Sequence, residues 1–122
     1  MSDATASITE MPARERPLSE EYRIVARKWV DADGAASLRE ELKTTTLEQM
    51  KSDLIKSQGE MADNKAERLV KSGPDWEEYI RQMVEARTAA NRLKCQMEYV
   101  RIKFSEWQAM DATARAEMRL SR

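Results

Sequence analysis

Residues 76–118 read WEEYIRQMVEARTAANRLKCQMEYVRIKFSEWQAMDATARAEM. The spacing of apolar residues in this stretch decides the fold. Positions 76, 79, 83, 86, 90, 93, 97, 100, 104, 107, 111, 114 and 118 alternate three and four apart. They carry Trp76, Tyr79, Met83, Ala86, Ala90, Leu93, Met97, Val100, Phe104, Trp107, Asp111, Ala114 and Met118. All but Asp111 are apolar, and the register never slips. An α-helix brings such residues onto one stripe, the seam of a coiled coil. At about 1.5 Å per residue the helix is roughly 65 Å long. Its seam cannot be buried on itself, so it needs a partner helix.

The chain upstream supplies one. Pro17 is followed by Ser19, a residue suited to capping, and by Glu20 and Glu21, which favour the positive end of a helix. Leu18, Tyr22, Val25, Trp29, Ala32 and Ala36 form a second heptad seam. That register breaks after Ala36. Leu38, Leu42, Leu47, Met50 and Leu54 continue on a drifting face. A first helix is therefore expected over about 19–58, with a bend or break favoured by Gly34 or by Thr44, Thr45 and Thr46. Gly59 can stop it. A short helix follows over about 64–72, with Asn64 and Glu67 at capping-box spacing. Gly73 ends it, and Pro74 suits the first turn of the long helix, placed at about 75–120. Residues 1–17 are polar and read as a flexible, disordered tail.

The expected fold is all-α: one long antiparallel, coiled-coil-like helical hairpin over 18–122, with a short connecting helix and a disordered N-terminal tail. In this arrangement Trp29 falls near Phe104 or Trp107, in a register good to within a heptad. Ala86 and Ala90 let the backbones approach closely nearer the turn.

Composition narrows the functional classes. The chain has 122 residues, which suits a single domain. Basic residues number 21 and acidic residues 22, so no global field draws it to nucleic acid or membrane. Any such role rests on local charge. Histidine is absent and Cys95 is the single cysteine, which removes the commonest general base and most zinc sites. No Gly-rich phosphate loop or GxSxG elbow is present. The carboxylate pairs Glu40-Glu41 and Glu77-Glu78 are adjacent, and adjacent helical side chains do not face one another. No catalytic site, metal or cofactor is expected. A lone cysteine fits a reducing cytoplasm, no apolar run approaches a membrane span, and the first residues lack the pattern of a secretory signal.

The long helix carries two more faces. With Met97 at heptad position a, position e holds Ile80, Arg87, Lys94, Arg101, Gln108, Arg115 and Arg122. This largely basic edge has two readings. Its arms can pair with acids of the first helical segment, such as Asp31, Asp33, Glu40, Glu41 and Glu48, as charged e positions commonly do. Alternatively, with Lys103 and Arg119, it forms a cationic track for a phosphate backbone. From the residues alone the pairing reading is preferred. The outer face holds Cys95, Tyr99, Ile102, Ala109 and Ala116 where a solvated hairpin would be polar. It is expected to be an interface between copies of the chain, the alternative being that a folded-back tail or the short helix covers it. Asp111, the polar seam residue, either fixes register or sits where the seam is already wet, and the second reading is preferred. The aromatics Tyr22, Trp29, Trp76, Tyr79, Phe104 and Trp107 all lie on seams, which favours core packing over base stacking.

The stretch ERLVKSGPDWEEYIRQMVEARTAANRLKCQMEYVRIKFSEWQAM, residues 67–110, resembles small helical proteins of tailed phages and prophages. Its pattern is similar to that of UvsY-type recombination mediators. A short helix leads to a small-polar turn with an acid, then to an aromatic early in a long helix. An alanine-containing stretch and the basic segment Tyr99-Val100-Arg101-Ile102-Lys103-Phe104 follow. The resemblance implies an oligomer in the host cytoplasm that binds single-stranded DNA through its backbone. It implies loading of a recombinase onto strands coated by a single-strand-binding protein, without a catalytic site. Where that family carries a basic loop motif, Leu54-Ile55-Lys56-Ser57-Gln58-Gly59 offers only Lys56. The candidate phosphate contacts are Lys56, Lys94, Arg101, Lys103, Arg115 and Arg119. The competing expectation is a coiled-coil adaptor, or an inhibitor of a host or phage partner, that never touches nucleic acid.

Overall fold

The computed structural model describes residues 17–121. The protein is all-α, with no strand among the described residues. Four helices follow one another: α1 (Leu18–Glu41), α2 (Lys43–Gln58), α3 (Asp63–Lys71) and α4 (Pro74–Leu120). The expected tail, apart from Pro17, and Arg122 lie outside the described residues.

The first helical segment is two helices. Gly34 does not interrupt it, because one glycine in a helix interior costs only about 1 kcal/mol and neighbouring turns carry it. The interruption is a single turn residue, Leu42. Its N–H still bonds the Leu38 carbonyl at 3.0 Å, and its carbonyl still accepts from Thr46 at 2.8 Å. The capping expectations also shift by a residue or so. The Pro17 carbonyl accepts from the N–H groups of Glu20 and Glu21, so Ser19 lies inside α1. Ala62 precedes α3 without a side-chain cap, and Asp63 rather than Asn64 opens the helix. Pro74 is the first residue of α4, as its missing N–H allows. At Gly59 the backbone takes φ 93° and ψ 171°, a region nearly restricted to glycine, and its N–H closes α2 on the Ile55 carbonyl at 2.8 Å.

Where the sequence reading takes 18–122 as one hairpin, the residues cluster in two compact units. The first combines α1 up to Val30 with α4 from Asn91 onward. Val25, Met97 and Val100 are buried there, with Leu18, Tyr22, Trp29, Leu93 and Phe104 half-buried around them. Val100 is almost wholly enclosed. Enclosing a side chain of this size stabilises by about 2 kcal/mol. Phe104 shares a pocket with Leu18 and Tyr22, so it lies a heptad from the expected position beside Trp29. A heptad pattern fits equally well after a shift of seven, and the helix ends decide between the alternatives.

The second unit covers residues 31–90. The later part of α1 and the first turns of α4 run antiparallel in it. Arg39 bonds Tyr79 and Gln82, while Arg87 reaches back to Asp33, Ser37 and Glu40. Ala36 and Ala90 are fully buried, as small residues at a close approach of backbones should be. α2 packs on α3, burying Leu47 and Ala66. Trp76 is buried and stacks on Tyr79 with ring centroids 5.6 Å apart.

Candidate interaction surfaces

In the unit of residues 31–90, the strongest polar feature is Arg87. Its guanidinium is gripped by two carboxylates. Nε and Nη2 each donate to Glu40 at 2.8 Å, Nη1 donates to Asp33 Oδ1 at 2.6 Å, and Nη2 also reaches Ser37 Oγ at 3.2 Å. The planar fork of arginine matches this two-pronged carboxylate. The hydrogen bond from Arg87 holds the Glu40 carboxyl below its ordinary value, against the opposing effect of desolvation. Hydrogen bonds to Glu40 and then Asp33 raise Arg87 in turn. The first basic member of the edge is therefore a clamp between α1 and α4, with four of its five N–H donors engaged and its charge already matched by two carboxylates.

Lys51 is the residue the sequence reading missed. Only 5% of it is exposed, yet it carries an ammonium. It bonds Asp63 at 2.7 Å and Glu48 at 3.2 Å, which ties α2 to the first turn of α3. The hydrogen bond to Asp63 is the main cause of its raised pKa. A signal was present: Lys51 stands four after Leu47 and three before Leu54, on the apolar face of α2, with Glu48 one turn back. In the same unit, Met50, Leu54, Leu69, Val70 and Trp76 line a cleft of about 320 Å³. Gly73 closes its edge, where a Cβ would meet the Val70 carbonyl oxygen at 3.3 Å. Lys56, also in this unit, is exposed on α2.

The remaining basic candidates belong to the other unit, and the structure divides them. Arg101 is held by Glu98 at 2.6 Å on its own helix, and Arg115 by Asp111 at 3.1 Å. The Glu98 hydrogen bond raises the pKa of Arg101. Lys103 stands over the Tyr99 ring, 5.7 Å from its centroid. Lys94 and Arg119 are exposed, and neither they nor Lys103 make an ion pair among the described residues. The edge is thus a set of separate arrangements. Arg87 takes two of the five acids expected for the edge, Asp33 and Glu40 of α1, whereas Arg101 and Arg115 pair within α4.

The outer face of α4 is open. Cys95, Tyr99, Ile102, Ala109 and Ala116 are all exposed. The seam itself has two regimes. From Leu93 through Phe104 its members are buried or half-buried. Beyond Phe104, Trp107, Ala114 and Met118 continue in register but are exposed, Trp107 by 55% and Met118 by 62%. Phe104 and Trp107 stack at 6.1 Å across this boundary. Asp111 thus lies in a wet part of the seam.

Among the described residues no group of His, Cys, Asp and Glu is placed to hold a metal ion. No described helix is long and apolar enough to cross a membrane. What the geometry defines is a helical protein with unsatisfied apolar faces. No protein-family model, curated protein or solved structure matches the chain.

Proposed function

We propose that this chain is a non-catalytic accessory protein that works as an assembly of copies of itself. The carrying observation is that α4 buries one stripe from Leu93 to Phe104 and still exposes apolar side chains, among them Tyr99, Ile102, Trp107 and Met118. Apolar surface of this kind on a helix is stabilised by association. Its adaptor role would be to present one assembled helical surface to a host or phage protein in the cytoplasm. Sedimentation equilibrium tests the reading. The expected result is a mass above that of one chain at tens of micromolar protein, and a single-chain mass throughout would overturn it.

A more specific reading makes the assembly a recombination mediator that binds single-stranded DNA and helps load a recombinase onto strands coated by a single-strand-binding protein. Lys94, Lys103 and Arg119 support it, as exposed or half-exposed cations outside ion pairs, with Tyr99 beside Lys103 as a stacking surface. Arg101 and Arg115 contribute less, because each already holds a carboxylate. The expected outcome is a gel shift of single-stranded DNA at low salt that fades steeply at moderate salt. Replacing Lys94 and Lys103 by glutamate should abolish it with the assembly intact. No shift at low salt leaves the adaptor role alone.

A further inference from the structure

Residues 105–120 of α4 are exposed on every side, yet they keep the heptad register of the buried seam. Trp107, Ala114 and Met118 extend the stripe of Met97, Val100 and Phe104 that packs against α1. In that unit α1 starts at Leu18, beside Phe104, so among the described residues the seam outlasts the helix that covers it. We infer that this stretch is covered by the same stretch of a second copy, the two α4 segments running antiparallel. This inference rests on the assembly proposed above and names the contact that builds it.

Three features select the occupant and its direction. First, the contact prolongs a seam that already buries helix against helix in this fold. A copy of the same sequence carries the same heptad spacing without any adjustment of register. Second, Asp111 decides polarity. A parallel, in-register pair sets the two Asp111 carboxylates face to face in the seam. An antiparallel pair centred between residues 112 and 113 sets each Asp111 against Ala114 of the other copy. It also leaves Arg115 free to keep its 3.1 Å bond to Asp111. Trp107 then meets Met118 of the other copy at each end, a thioether against an aromatic ring. Third, parallel pairing would bring both α1 starts to the same end of the pair, where each already occupies the seam at Phe104. Antiparallel pairing places them at opposite ends.

The contact differs from the outer face of Cys95, Tyr99 and Ile102, so the two are separable. Sedimentation equilibrium is measured on the full chain, on Trp107→Asp, on Met118→Asp and on the double variant Tyr99→Asp/Ile102→Asp, with far-ultraviolet circular dichroism as a check of helix content. Residues 107 and 118 lie outside both cores, so helix content should be unchanged. The expected result is a concentration-dependent dimer for the full chain and for Tyr99→Asp/Ile102→Asp. The two seam variants should be single chains. Dimers that survive Trp107→Asp and Met118→Asp but not the double variant overturn the inference and leave the assembly standing. A full chain that never exceeds a single-chain mass overturns both. A chain lacking residues 1–16 is measured in parallel. If only that deletion permits dimers, the chain's own first residues are the occupant, and the inference fails. Met118→Cys, at a seam position, in a Cys95→Ser background reads direction. Rapid oxidation to a 118–118 disulfide means parallel pairing and also overturns it, since antiparallel copies hold those thiols about 18 Å apart.

Discussion

Two side chains in the unit of residues 31–90 make its stability depend on pH in opposite directions. Glu40 is held ionised by Arg87, and its folded pKa lies below the ordinary 4.5. Its contribution is complete above that value and lost as pH falls through the lower folded value. Lys51 has a folded pKa above the ordinary 10.5. Its contribution is complete below 10.5 and lost as pH rises through the higher folded value. Melting temperature should therefore be flat around neutrality and fall on both limbs. Glu40→Gln should flatten the acid limb and Lys51→Met the alkaline limb, each leaving the other unchanged. Thermal melts followed by circular dichroism across pH check this. A Lys51→Met protein that keeps the full alkaline fall would show that its ion pairs with Asp63 and Glu48 do not stabilise the fold. The substitution itself should be well tolerated at neutral pH. It places an apolar side chain in an enclosed site, and the two carboxylates it abandons face water.

At the scale of the helices, two glycines respond oppositely to the same change. Gly34 lies inside α1 with open space around the position a Cβ would take. Gly34→Ala should stabilise by about 1 kcal/mol, since alanine is the better helix former. Gly59 holds φ 93°, where a side chain is strained, and Gly59→Ala should destabilise by about 1–3 kcal/mol although nothing crowds it. Urea titrations of the two variants give the signs directly. Helix boundaries show how far spacing alone carries. The seams of α1 and α4 were legible because each is a sum of many like positions. The break at Leu42 was legible only in part: the weak helix formers Thr44, Thr45 and Thr46 follow it closely, but no glycine or proline marks the residue itself, and Gly34, the other candidate, stays helical. The exposed Leu38 and Leu42 have the same sequence signature as the buried Leu47, and only the packing of α2 on α3 separates them.

For the molecule as a whole, a heptad reports that a helix has a stripe and does not report where its partner ends. This is why Trp29 was placed a heptad off and why Trp107 and Met118 read as core in sequence and are exposed in the structure. Charge was legible in the same partial way. Asp33 and Glu40 were named among the acids for the basic edge, and Arg87 takes both. The same sequence also held Glu98 and Asp111 one turn from Arg101 and Arg115, where local pairing competes with any longer reach.

The exposed seam has a chemical consequence. Met110 and Met118 present their thioethers to water, while Met97 is buried. Dilute peroxide should convert Met110 and Met118 to sulfoxides well before Met97, as peptide mass spectrometry would resolve. If two copies cover one another there, the rate at Met118 should fall as protein concentration rises. A sulfoxide once formed places a polar, chiral group against Trp107 and parts the copies. The stretch would then couple the state of assembly to the oxidants around it, reversibly wherever a sulfoxide reductase is present.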